Sequence, residues 1–238
     1  MAILGINKKE CYIVAIRPMA QLTVCPPTGV SMRKEKSKLR IHIWGSEKEP
    51  PYHPFAPARK SLKKLLASDT LKFYAGLNSF TGDTLENCDV LISYLDVHRP
   101  GFTNSITKRI KSFVKEGGRH VALHSGIIQD EPGYATFMGG EFTGHPPMTR
   151  FSVSVRPHPF TQGVSDFSIT DEVYLFNKIK KGMEVYASTK LGRTLCPLGW
   201  TYVYGKGRVI YLALGHDEQS FRSKPFQQML QNAVHTAT

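Results

Sequence analysis

Nine histidines are spread along this 238-residue chain, and four of them occupy positions where proton transfer or metal ligation would have a use. His124 follows the apolar run 121–123 and opens a His-Ser-Gly turn, while His216 follows Leu214-Gly215 and heads His216-Asp217-Glu218. Imidazole changes charge near neutrality and is the commonest metal ligand. A bulky polar ring at the end of a buried strand therefore needs either a partner or a task. His145 lies in the segment Gly139-Gly140-Glu141-Phe142-Thr143-Gly144-His145-Pro146, whose glycines suit a loop folding over a pocket. His53 belongs to a stretch that also carries Glu47 and Glu49, and Asp171-Glu172-Val173-Tyr174 adds carboxylates and a phenol. Taken singly, a histidine at a strand end is more often a hydrogen-bonded loop residue than a ligand. The case rests on convergence. His42, His98, His120, His158 and His235 have structural readings instead: strand alternation, loop, strand start, His-Pro turn and helix surface.

The elements that would bring these residues together begin near Lys38. Leu39–Trp44 reads as a first strand, Ala58–Leu66 as a helix, Leu71–Tyr74 as a weak second strand and Cys88–Tyr94 as a buried third. Asn104–Lys115 places Ile106, Ile110, Phe113 and Val114 on one helical face, and Gly117-Gly118 ends that helix. His120–Leu123 is a short strand running into the His124 turn. Further on, Arg150–Val155, Met183–Ala187 and a hairpin of Trp200–Tyr204 with Arg208–Leu214 read as strands, and Pro225–Val234 as a last helix. Apolar runs alternating with amphipathic stretches predict an α/β fold, a three-layer sandwich whose mainly parallel sheet ends in a C-terminal antiparallel hairpin. In such sheets ligands bind beyond the carboxyl ends of the strands. That rule places His53, His124 and His216 on one rim.

Composition narrows the function classes. Apolar residues make up 41% and charged residues 21%, and no run is long and uncharged enough for a membrane span. The formal charge of +12 is uneven: residues 1–40 carry eight Lys/Arg against two Asp/Glu, half of the excess. Such a run near a terminus is usually a solvated lead-in, so nucleic acid is not an expected partner. Residues 1–36 lack periodicity and are punctuated by Pro26-Pro27 and Gly29, which predicts a poorly ordered appendage before a domain over residues 37–238. Cys11, Cys25, Cys88 and Cys196 form neither a C-x-x-C pair nor a disulfide ladder. With no recognisable export signal, a reducing, cytoplasmic setting is the expectation.

Several motifs in fixed order carry a family resemblance. They are Glu116-Gly117-Gly118 leading to Leu123-His124-Ser125-Gly126; Met138-Gly139-Gly140-Glu141-Phe142 with Gly144-His145-Pro146; and His158-Pro159-Phe160. Asp171-Glu172-Val173-Tyr174, Pro197-Leu198-Gly199-Trp200, and Gly205-Lys206-Gly207-Arg208-Val209 running to His216-Asp217-Glu218 complete the set. Together they resemble the ThuA-like, trehalose-utilisation family of the class I glutamine amidotransferase-like fold. The resemblance implies a flavodoxin-like sheet and a sugar or sugar derivative as ligand. Amidotransferases of this fold use a cysteine in a G-x-C-x-G elbow with a His-x-Glu pair after the last hairpin. Here the pair reads His216 and Glu218, but the elbow reads Ala122-Leu123-His124-Ser125-Gly126. An imidazole cannot replace the thiolate in forming a thioester, so cysteine-dependent glutaminase chemistry is not expected.

Three readings of the altered site stay open at this point. In the first, His124 and His216, with His53 or His145 and Glu172, hold a divalent metal and the protein is a metal-dependent hydrolase or lyase. In the second, His124 and His216 exchange protons with a sugar, Glu218 orienting His216. The third is a non-catalytic carbohydrate-binding or interaction domain. His53, Ser125, His145, Glu172 and Tyr174 would contact the ligand, with Tyr52 and Trp200 compatible neighbours. Self-association is open.

Overall fold

The computed structural model describes residues 38–47, 53–97, 103–177 and 179–236. The predicted appendage 1–36, Tyr52 and His98 lie outside them. Strand β1 (Arg40–Gly45) leads to helix α1 (Phe55–Leu65), β2 (Thr70–Ala75), β3 (Val90–Ser93), α2 (Asn104–Lys115) and β4 (Arg119–Leu123). A 3-10 turn over His124–Ile127 and helix α3 (Pro132–Met138) follow, then β5 (Glu141–Gly144), β6 (Thr149–Val155), β7 (Phe167–Asp171) and β8 (Leu175–Asn177). The chain continues through β9 (Glu184–Leu191), β10 (Thr194–Tyr204), β11 (Gly207–Leu212), α4 (Glu218–Phe221) and α5 (Lys224–His235).

Among the described residues, nine strands form one sheet in the order β2-β1-β3-β4-β11-β10-β9-β6-β7, while β5 and β8 pair separately. The first half is parallel, with Ile43 opposite Ile92, Ile92 opposite Val121 and Val121 opposite Ile210. Its central strands are buried throughout: Val90–Ser93 and Arg119–Leu123 have no exposed residue. Strands covered on both faces read as continuous apolar runs, which is why the sequence showed them clearly.

The expected mainly parallel flavodoxin-like sandwich with a terminal hairpin is not what the chain builds. Four of the eight neighbouring strand pairs are antiparallel, and the β10–β11 hairpin lies at the centre of a mixed sheet, not at its end. Connection length explains the difference. A parallel return needs a crossover of a dozen or more residues, usually a helix. Between β9 and β10 there is only Gly192-Arg193, and between β10 and β11 only Gly205-Lys206. The chain must therefore reverse at both turns, which makes β9–β10 and β10–β11 antiparallel, and β6 and β7 add to the β9 edge in the same sense. Strand β7 carries the exposed/buried pattern ieBiB, weak alternation that the sequence reading passed over.

Aromatic bulk fills the interior: Trp44, Trp200, Tyr211 and Phe226 are fully buried, and Trp200 Nε1 donates to the Met138 carbonyl at 2.8 Å. The turn after β4 is held tightly against β3. A Cβ on Gly126 would stand 1.9 Å from the Ser93 carbonyl oxygen, so only glycine fits there. Tyr134 of α3 donates its hydroxyl to the Gly126 carbonyl at 2.9 Å, and His120 Nε2 lies 2.9 Å from the same hydroxyl oxygen. Since that hydroxyl proton is committed, His120 Nε2 is the donor in the second bond.

Burial of His120 pushes its pKa down to about 3. The folded chain thus leaves this ring neutral where the unfolded chain, with an ordinary value near 6.5, takes up a proton. The unfolded state binds more protons between those limits, so stability falls as pH falls through that window, by up to about 1.4 kcal/mol per pH unit for this ring. Urea titrations at about pH 6 and about pH 4 should show a shallower acid dependence in His120→Gln than in the parent chain. An unchanged slope would show that another group carries the effect.

Candidate functional site

The carboxyl ends of β1, β3, β4, β7 and β11 deliver the polar groups to one place. His53 comes from the connection between β1 and α1, Asp96 lies just beyond β3, His124 opens the turn after β4, Asp171 ends β7 with Glu172 next, and His216 follows β11. His124 adopts φ +47°, a left-handed conformation that a non-glycine residue rarely takes and that makes the sharp elbow.

Two imidazoles are tied from behind. His53 Nδ1 lies 2.9 Å from Asp96 Oδ2, and His124 Nδ1 lies 2.6 Å from the Ala213 carbonyl oxygen. Each acceptor demands that Nδ1 carry the proton, which leaves both Nε2 lone pairs facing inward. Ring orientation by a carboxylate or carbonyl on the far nitrogen is the usual outer shell of a metal-binding histidine. His216 presents Nδ1 instead, 3.3 Å from His124 Nε2.

Glu172 faces the same space. Its Oε2 lies 3.2 Å from His216 Nδ1, 3.4 Å from His124 Nε2 and 3.7 Å from His53 Nε2. That oxygen is buried and accepts no hydrogen bond of proper geometry from the described residues. The donor atoms of His53, His124, Glu172 and His216 all lie within 4.8 Å of one another. Metal bonds of about 2.1 Å meeting at right angles to tetrahedral angles put neighbouring donors roughly 3.0–3.4 Å apart. The separations among His124, His216 and Glu172, 3.2–3.4 Å, fall in that range, while His53 Nε2 stands farther out at 3.7 Å from Glu172 Oε2.

The charges are mutually arranged. Burial disfavours an ionised Glu172, but the adjoining His124, His216 and His53 rings outweigh it and hold the carboxyl well below the usual range. For His53, burial also opposes charge, yet Asp96 and Glu172 prevail and raise its pKa. Burial wins at His124 and lowers its pKa despite Glu172 and Asp171. An anionic carboxylate facing inward-directed imidazoles suits a cation between them.

Asp171 holds the frame. It is fully buried, accepts from Gly215 N at 2.8 Å and Glu172 N at 2.8 Å, and lies 3.4 Å from His216 N. Tyr94 donates its hydroxyl to the Gly215 carbonyl at 2.9 Å, with the His216 carbonyl at 3.1 Å. Tyr174 extends its hydroxyl between two rings, 3.0 Å from His124 Nε2 and 3.2 Å from His53 Nε2.

Of the residues expected at the site, His53, His124, His216, Glu172 and Tyr174 meet. His145 stands at the margin, its Nδ1 3.6 Å from Glu172 Oε1 and its side chain 34% exposed. Ser125 is buried beneath the turn and spends its hydroxyl on the Tyr94 carbonyl at 2.9 Å. Glu218 is not part of the cluster: it starts α4, is half-exposed and pairs with Arg222 at 3.3 Å. Sequence reasoning missed Asp96, Asp171, Tyr94 and the Ala213 carbonyl. Asp96 was within reach, since the strand-end rule applied to β1, β4 and β11 works equally for β3. Asp171 stood only as one carboxylate of the Asp171–Tyr174 stretch, with no framing role, because β7 was not recognised. His235, read as helix surface, pairs with Asp69 at 2.8 Å.

Beside the cluster is a cavity of about 610 Å³, lined by Gln129, Asp130, Thr136, Phe142 and Lys180 among others. Neither the clustered histidines nor Glu172 line it; Phe142 of its wall has its ring 4.5 Å from that of Tyr174 between centroids. Cys88 and Cys196 lie away from the elbow, and burial raises both thiols, Cys88 to about 12.

A family model described as trehalose utilisation, ThuA, matches residues 40–237. Among solved structures, a ThuA-like protein from Bacteroides uniformis is 20% identical, with 86% of this chain and 94% of that chain covered and a TM-score of 0.71. Another, from Parabacteroides merdae, is 16% identical over 84% of this chain and 90% of that one, with a TM-score of 0.69. The exo-β-1,4-mannosidase of an Opitutaceae bacterium is 14% identical over 84% of this chain but only 36% of its own, with a TM-score of 0.55. At such identities these likenesses show the fold alone. No curated protein matches the chain. None of the described helices is long and apolar enough to cross a membrane. The family match runs from the start of β1 to beyond α5, so this chain belongs to the ThuA, trehalose-utilisation family, a membership that suggests carbohydrate metabolism.

Proposed function

We propose that this protein is a metal-dependent enzyme acting on a sugar or sugar derivative, with a divalent transition ion held by His53, His124, His216 and Glu172. The observation that carries the reading is the pair of outward-tied rings, His53 on Asp96 and His124 on Ala213, whose Nε2 atoms converge on Glu172 Oε2, a buried oxygen with no hydrogen bond of proper geometry from the described residues. Three neutral imidazoles and one carboxylate suit zinc, manganese or iron. Such an ion, when bound, supplies Lewis acidity toward a carbonyl or hydroxyl oxygen and lowers the pKa of water.

The chain's own groups divide the remaining work. Asp96 and the Ala213 carbonyl fix the tautomers, and Asp171 fixes the backbone that carries Glu172 and His216. His216 is 21% exposed where His124 is fully buried, so a substrate approaches from the His216 and His145 side. His145 stacks on Tyr174 at 5.5 Å between centroids, within reach of a hydroxyl entering from that side, where it can exchange a proton. The adjoining cavity is of a size for a sugar ring, with Gln129, Asp130, Thr136 and Lys180 offering polar groups and Phe142 an apolar face. Metal-free exchange between His124 and His216 has less support. His124 is fully buried with Nδ1 committed, and Glu218 points elsewhere.

Three outcomes are expected. Protein stripped with chelator and titrated with zinc(II) or manganese(II) should bind one equivalent by calorimetry, and His124→Ala should abolish it. Asp96→Asn, which leaves the ligands in place, should weaken binding roughly 10–100-fold. No binding by the parent chain would sink the reading. Turnover of a panel of glycosides and oxidised sugars should disappear on chelation and return with metal, whereas chelation-resistant turnover would argue for imidazole catalysis alone. Glutamine should release no ammonia, since His124 holds the elbow position and both described thiols are raised by burial; ammonia release abolished by Cys88→Ser or Cys196→Ser would reverse that expectation.

A further inference from the structure

Tyr174 has no assignment in the scheme above beyond lining the site. Its hydroxyl carries one proton, yet it stands at hydrogen-bond distance from two acceptors, 3.0 Å from His124 Nε2 and 3.2 Å from His53 Nε2. In the neutral rings, with Nδ1 donating to Ala213 or Asp96, both Nε2 nitrogens offer a lone pair, and His216 Nδ1 is a second group in reach of His124 Nε2, at 3.3 Å. A phenol can satisfy one of them only. The two separations fall within the roughly 3.0–3.4 Å between adjacent donors on one ion for bonds near 2.1 Å.

The ring has little freedom to move away. Tyr174 is fully buried, its centroid 4.5 Å from those of both His124 and Phe142. It is also linked in sequence to the other donors, since Glu172 lies two residues before it and β8 begins immediately after. The segment between β7 and β8 thus brings a carboxylate and a phenol to the same side of the histidine cluster.

Resting on the metal reading above, we propose that Tyr174 is a fifth donor to the same ion, binding through its phenolate oxygen alongside His53, His124, His216 and Glu172. With the ion bound, the phenol would give up its proton to solvent and keep the O–H electron pair for the metal, whose charge would have to outweigh the burial and the Glu172 carboxylate that hold the phenol protonated. The resulting donor set of three imidazoles, a carboxylate and a phenolate fits an ion that accepts five ligands. It also adds a second negative charge beside Glu172.

Copper(II) is a suitable probe, because phenolate coordination to it gives a visible charge-transfer band and imidazole or carboxylate coordination does not. The parent protein loaded with one equivalent of copper(II) should show that band, with phenolate modes enhanced in resonance Raman spectra excited within it. Tyr174→Phe should still bind one equivalent through the other four donors, at least tenfold more weakly, with the band lost and one fewer proton released per metal bound. Resonance Raman of the parent chain needs no variant, so it decides the question even if Tyr174→Phe does not fold. Stoichiometric copper binding with no phenolate signature would overturn this proposal and leave the four-donor centre standing. Failure of the parent chain to bind any metal would overturn both.

Discussion

The proton on Nδ1 of His124 points at the Ala213 carbonyl oxygen 2.6 Å away, and everything about the site's polarity follows from that commitment. With this proton spent on backbone, the buried ring can only offer a lone pair from Nε2. Asp96 does the same to His53 with a charged acceptor. Had either ring been free to flip, the cluster would settle as ordinary hydrogen bonds, and Glu172 would find a donor. Instead the interior holds inward-facing acceptors and an anionic oxygen with too few protons among them. Leaving buried polar atoms so short of partners is costly, and the surrounding fold over-determines each ring to keep it so.

The location follows from how the sheet changes character. Strands β4 and β11 are the last members of the parallel half, and β10 begins the antiparallel half. Their carboxyl ends supply His124 and His216, while β7, from the outermost antiparallel position, returns Asp171 to clamp Gly215. The parallel half provides a rigid buried platform. The antiparallel half provides a hairpin and a separate two-stranded ribbon, β5 with β8, that carry His145, Phe142 and Tyr174 toward it.

Much of this was legible before any coordinates. Apolar runs such as Val90–Ser93 and the helical face of Ile106, Ile110 and Val114 need no tertiary knowledge, because burial on both sides of a strand or on one side of a helix leaves a periodic mark. The strand-end rule drew His53, His124 and His216 together correctly. What failed was the His-x-Glu pair carried over from the amidotransferase resemblance: Glu218 sits two residues from His216, but a helix starting at Glu218 turns its carboxylate outward to Arg222. Direction of pairing in the second half was hidden because short alternating runs do not state their partner. Only the length of the intervening turns does, and it was used for the β10–β11 hairpin alone. Asp96 and Asp171 escaped notice because a lone carboxylate beyond a strand looks like any surface residue until the ring it holds is known.

The bond between His124 and Ala213 also joins residues 89 positions apart, across the β4–β11 pairing that closes the centre of the sheet. Loops of that length close slowly, and contacts of high sequence separation form late relative to local helices and hairpins. The nascent chain therefore cannot bring His53, His124, Glu172 and His216 together until its C-terminal third has been synthesised and docked.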